Sequence, residues 1–131
     1  MLYENMDVWK RSRQLSIITY RELSSCKDFG FKDQITRTML SVPSNIAEGC
    51  ERSSLKERIR FFDIAKGSLG EFKTQADIGI EVDFISKEIG DFLVDEASQI
   101  SKMLGSLIST LRAQLETSIS NLVSAHLRII V

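Results

Sequence analysis

The sequence predicts an all-α fold built from four long helices. Apolar residues repeat at helical spacing through long segments, as at Ile35, Met39, Val42 and Ile46. One proline and seven glycines leave little turn material, which favours a few long helices over many short strands. Leu93, Ala97, Ile100, Leu104, Leu107 and Leu111 step by 4-3-4-3-4, the apolar seam of a helix packed along its length.

The first helix is expected from about Asn5 to Ser25. Asn5 is its N-cap candidate and Asp7 suits the first turn. Val8, Leu15 and Ile18 share a face that Trp9, Tyr20 and Leu23 broaden. Lys27-Asp28-Phe29-Gly30 reads as the turn that follows, with Gly30 as breaker.

The second helix is expected from about Lys32 to Cys50, and it contains the run Ser41-Val42-Pro43-Ser44-Asn45-Ile46-Ala47-Glu48-Gly49. Pro43 is the one proline of the chain. A proline in a helix interior removes a hydrogen bond and costs about 3 kcal/mol. Ser41, Ser44, Asn45 and Glu48 are placed to satisfy the freed carbonyl near Met39 or to reach a neighbouring helix. Glu51-Arg52-Ser53-Ser54 is the next connection, and Ser54 with Glu57 has capping-box spacing.

The third helix is expected from about Leu55 to Val82, with Leu55, Ile59, Phe62, Leu69, Phe72 and Ala76 on its apolar face. Gly67, Gly70 and Gly79 lie in its interior, where each glycine costs about 1 kcal/mol relative to alanine. Either another helix approaches closely there or a ligand cavity opens. The fourth helix begins near Ser86. Residues 1–114 form the bundle domain in this reading, and 115–131 an extension. Leu115, Ile119 and Leu122 suit a longer last helix, while the apolar end from Leu127 to Val131 suits either packing on a neighbour or a disordered tail.

Composition narrows the chemistry. At 131 residues the chain is one domain, large enough to bury a core without disulfides or metal. Residues 1–62 carry a formal charge of +3 and residues 63–131 carry −4, giving −1 in all, so a local basic face is permitted in the first half. Cys26 and Cys50 read as reduced thiols of a cytoplasmic protein. The charged start is unlike a signal peptide, and no uncharged apolar run reaches the ~20 residues that span a bilayer. With His126 as the one histidine, no catalytic triad, zinc site or di-iron pair is expected, and no phosphate-loop motif occurs; no cofactor is expected. Glu48 and Glu71 are candidate paired acids, against a structural network in which Arg52 pairs with Glu48 and Asn45, Ser44 or Ser68 bond to Glu71. Trp9 and Tyr3 are candidates for stacking on bases, against packing at a helix interface.

Tyr3, the pair Trp9-Lys10, Gln34, Arg37, the run SVPSNIAEG ending at Arg52, and the stretch IAKGSLGEFKT occur together over about Leu2 to Arg112. In these features the chain resembles the bacterial four-helix-bundle family of 23S rRNA intervening-sequence proteins. It departs from the usual pattern at Gly70 and Phe72, which flank Glu71. The resemblance implies an antiparallel, up-down-up-down bundle without enzymatic activity that assembles as a homopentameric ring. It also implies kinship with the accessory protein of diversity-generating retroelements, which is thought to bind nucleic acid and a reverse transcriptase through a basic surface. The corresponding candidates for RNA contact are Lys10, Arg11, Arg13, Arg21 and Arg37. A ring would repeat such a weak face and add its contacts by avidity. A protein-only adaptor that binds no nucleic acid is the alternative. Pro43, Ser44, Asn45, Glu48, Gly49, Arg52, Ser68 and Glu71 are assigned to structure: Pro43 shapes the second helix, and the polar residues tie helices or subunits together.

Overall fold

A computed structural model of the chain describes residues 2–130. After a single 3-10 turn at Tyr3–Asn5, four helices follow: α1 (Asp7–Glu22), α2 (Phe29–Glu51), α3 (Leu55–Glu81) and α4 (Lys87–Ile130). Each helix packs on its two neighbours, α1 on α2, α2 on α3, α3 on α4 and α4 on α1, while the diagonal pairs stay apart. With short turns between them, this arrangement is consistent with up-down-up-down connectivity.

The helix starts differ from the expected ones where capping chemistry decides. Asn5 belongs to the 3-10 turn, and the residue before α1 is Met6, which caps with no side chain. Gly30 does not break a helix. Asp28 caps α2 by accepting from the Phe31 amide at 2.9 Å, which places Gly30 inside the first turn. Aspartate at an N-cap outweighs the weak helix propensity of one glycine. Ser54 caps α3 by accepting from the Glu57 amide at 3.1 Å, and Ser86 accepts from the Ile89 amide at 3.2 Å at the start of α4.

The turn from α3 to α4 closes on Asp83, at φ 64°. The Phe84 amide bonds the Gly79 carbonyl at 2.9 Å, and the Asp83 amide bonds the Ile80 carbonyl at 3.1 Å. This is the paired bonding of a helix end that places one residue in the left-handed region. Phe84 then packs on Phe31 of α2, ring centres 5.2 Å apart.

One core runs the length of the bundle. Ile35, Met39, Val42 and Ile46 are fully buried, as are Phe62, Ala65, Leu69, Phe72 and Ala76 of α3. α1 is less apolar inside than its pattern suggests. Ser12, Ser16 and Thr19 are buried, whereas Tyr20 is exposed. The hydroxyls of Ser12 and Thr19 bond the carbonyls of Trp9 and Leu15, so their burial leaves no polar atom wanting there. On α4 the buried set is Gly90, Leu93, Ala97, Ile100, Leu104, Ile108 and Leu111. Ile108 replaces Leu107 because a straight helix of 3.6 residues per turn drifts off a strict seven-residue repeat. Leu107 still packs at the edge of the core.

α4 does not stop at the end of the bundle. It runs on as helix to Ile130, and beyond Leu115 every described residue is exposed. Val131, the end of the apolar tail, lies outside the described residues. Among the described residues no helix is long and apolar enough to cross a membrane.

Candidate functional site

The basic candidates divide into two sets. Arg11 is committed to the bundle. Its Nε and Nη2 donate to the two carboxylate oxygens of Glu96 at 2.9 and 2.8 Å, and Nη2 also reaches Gln99 Oε1 at 2.8 Å. This fork holds α1 against α4 and raises the Arg11 pKa further, the hydrogen bond to Glu96 being the main cause. Arg37 pairs with Asp33 one turn earlier on α2 at 2.8 Å. Lys10, Arg13 and Arg21 stand exposed on the outer side of α1, with no ion pair.

The aromatic pair beside that face is a packing element. Tyr3 and Trp9 meet at a tilt, 5.1 Å between ring centres, and both lie partly buried against the core. The tilted geometry is the one aromatic rings prefer.

The proline run presents two faces. Val42, Pro43, Ile46 and Gly49 point inward and are buried. Gly49 is required by contact, because a β-carbon there would lie 2.7 Å from Phe62 Cε1 and 3.2 Å from the Arg58 carbonyl oxygen. The polar members turn back on their own helix. Ser41 donates to the Thr38 carbonyl, Ser44 to that of Leu40, and Asn45 Nδ2 to that of Ser41. The carbonyls they reach, those of Thr38, Leu40 and Ser41, surround Met39, and none of the three side chains bonds the Met39 carbonyl itself. The network from Ser44, Asn45 and Ser68 to Glu71 does not form either.

Glu48 pairs with Arg52, the C-cap residue of α2. Arg52 in turn lies over the Phe61 ring, 5.0 Å from its centre, and its carbonyl accepts from Arg58 Nη2 at 2.9 Å. Arg52 thus pins the α2–α3 turn. Glu71 is exposed on α3 and the Arg52 that pairs with Glu48 does not reach it, so the two carboxylates share no partner. No group of three metal-ligating side chains occurs among the described residues. Cys50 is buried, 3.3 Å from the Met6 sulfur, and burial pushes its thiol pKa up, away from the reactive thiolate.

The outer face of α3 is the least expected surface. Gly67 and Gly70 both point away from the core, and a β-carbon on either would meet nothing within 4 Å. Ile64 and Ile78 flank them, 42% and 50% exposed, with Glu71 and Thr74 between. Gly79 differs, since a β-carbon there would meet Phe31 at 2.7 Å. Close packing within the chain therefore explains Gly79 and leaves Gly67 and Gly70 without an intrachain reason. Glu96 and Gln99, the partners of Arg11, were also hidden in the sequence. Their one trace is a polar row one position before the buried seam of Ala97, Ile100 and Leu104.

Residues 4–106 match the sequence profile described as 23S rRNA-intervening sequence protein. The fold is similar to a crystal structure from Bacteroides thetaiotaomicron, described as a protein of unknown function from the S23 ribosomal protein family. That likeness has a TM-score of 0.73 at 25% identity and covers 77% of this chain and 97% of the other. No curated protein matches the sequence.

Proposed function

The chain belongs to the family of 23S rRNA-intervening sequence proteins, and from that premise we propose that it is a non-enzymatic, cytoplasmic scaffold that assembles with copies of itself and holds RNA. The outer face of α3 carries the reading. Two helix-interior glycines each forgo about 1 kcal/mol of helix propensity. Among the described residues, nothing beyond their own helix backbone comes within 4 Å of a β-carbon on either. With Ile64 and Ile78 exposed beside them, they give a flat strip on which the helix of another subunit can lie close. The homopentameric ring implied by the resemblance is the assembly expected to use it.

RNA contact follows from repetition. One subunit offers Lys10, Arg13 and Arg21, too few for tight binding alone. A ring repeats the set, and phosphate contacts add through avidity and counterion release. Arg11 drops out as a primary contact because Glu96 and Gln99 hold it against α4, whereas Arg37, in an exposed pair worth little, stays a weaker candidate.

Native mass spectrometry tests the assembly. The wild-type chain is expected as a multiple of 14.8 kDa, and Gly70→Trp as a smaller species with unchanged helical content. An unchanged mass for Gly70→Trp rejects the α3 face. Titrating the purified protein with a generic single-stranded RNA at rising salt tests the second step. Lys10→Glu, Arg13→Glu and Arg21→Glu together are expected to flatten the salt slope. A wild-type protein that retains no RNA leaves a protein-only scaffold.

A further inference from the structure

We infer that the projecting end of α4, residues 116–130, is a second self-association element, which packs its apolar stripe against the same segment of another copy. The stripe has a definite register. Leu104, Ile108 and Leu111 are buried within the bundle, and Leu115 packs at its edge. The same eleven-residue pattern then places Ile119, Leu122, His126 and Ile130 on that line, with Val123 and Ile129 beside it. Here it is bare. Leu122 is 72% exposed and Ile129 82%.

Among the described residues no other element covers it. α3 begins at Leu55 and meets α4 through the Asp63–Arg112 ion pair. Past Leu115 the helix runs on for fifteen residues, about 22 Å at 1.5 Å per residue. Thr117, Ser118, Ser120, Asn121 and Ser124 are weak helix formers, so propensity alone holds this end of α4 poorly. Ile119, Leu122, Val123, Leu127, Ile129 and Ile130 are each more than half exposed, and a contiguous apolar face of this kind marks an interaction surface.

Charge selects the occupant. Between residues 116 and 130 the one acid is Glu116 and the one permanent cation is Arg128, so the segment is formally neutral and a second copy meets no net repulsion. A membrane-surface helix carries rows of Lys and Arg on its polar side. Here that side is serine, threonine and asparagine. The same lack of cations disfavours RNA. Stripe on stripe, two copies extend the kind of packing that α4 already makes inside the bundle. The segment lies beyond residues 4–106, so this association is separate from the α3 face.

Hydrogen exchange on the purified full chain tests the pairing. Amides 116–130 are expected to exchange at least about tenfold more slowly than in the variant Leu122→Asp/Ile129→Asp, while amides of the bundle keep their protection in both. Both positions are exposed, so the variant leaves the bundle core untouched. Rapid exchange of 116–130 in the wild type, or protection that survives the double substitution, overturns the inference. So does protection that appears only with phosphatidylcholine–phosphatidylglycerol vesicles. Failure of the α3 face is read separately, from the native mass of Gly70→Trp.

Discussion

The two halves of α4 carry one stripe in two environments. From Leu93 to Leu111 it is sealed against the other three helices, and from Ile119 to Ile130 it faces solvent. The apolar stripe itself continues from one half to the other, so the surrounding helices decide which part of it belongs to the core. An apolar pattern thus specifies that a face must be covered, and chain length elsewhere decides whether the cover is internal. The same contrast holds around the bundle, where Gly49 and Gly79 answer to internal neighbours while Gly67 and Gly70 answer to none.

The largest expected effect separates the sealed region from the bare one. Phe62→Ala removes a fully buried ring from the centre of the bundle and is expected to lower stability by about 3–5 kcal/mol in urea unfolding. Leu122→Ala deletes an apolar side chain of similar bulk yet is expected to change the unfolding of the bundle itself by no more than about 0.5 kcal/mol. Comparable losses for the two would mean that the extension folds back on its own bundle.

The glycines sharpen the contrast because the sign reverses. Gly49→Ala drives a methyl group into Phe62 and the Arg58 carbonyl, and a loss of about 1–3 kcal/mol is expected. Gly67→Ala enters open space and gains helix propensity, so the isolated subunit is expected to melt higher by up to about 1 kcal/mol. Destabilisation by Gly67→Ala would show an intrachain role for the outer face.

Much of this was legible in the sequence, and the failures have physical causes. The apolar lines of α2 and α3 match their 3.6-residue period, so Ile35 through Ile46 and Ile59 through Ala76 fall in the core as expected. The family was legible from the proline run and the α3 stretch together. The polar residues of those motifs were not, because spacing shows which residues share a face and not which acceptor lies nearest. Ser44 and Asn45 chose carbonyls one turn away over a carboxylate on another helix. Arg11 looked free for the same reason. Its partner Glu96 is eighty-five residues distant, and no local pattern links them.

That clamp is the next test. Arg11 and Glu96 are partly shielded and joined by two parallel bonds, so the pair exceeds an exposed ion pair in worth. Glu96→Gln keeps the shape and removes the charge. A loss of about 1 kcal/mol is expected, against almost none for Asp33→Asn, which breaks the exposed pair with Arg37. Equal effects would remove the distinction between the structural and the free cations of the first two helices.

The smallest effect concerns the end of α4 that is fixed rather than bare. Its start is set by Asp83, held in the left-handed region where an L side chain is disfavoured by about 1–2 kcal/mol, less for aspartate than for most. Glycine removes that strain but makes the unfolded chain more flexible by an opposing term of about 0.5–1 kcal/mol. Asp83→Gly is therefore expected to stabilise by about 0.5 kcal/mol, a rise of roughly 2 °C in Tm. Asp83→Ala is expected to lower Tm, since alanine keeps the β-carbon and lacks the short polar group that tolerates this region. If both substitutions lowered Tm, the aspartate carboxylate would be the source of the turn's stability and not its strained residue. The start of α4 would then rest on a side-chain contact, as its N-cap at Ser86 does.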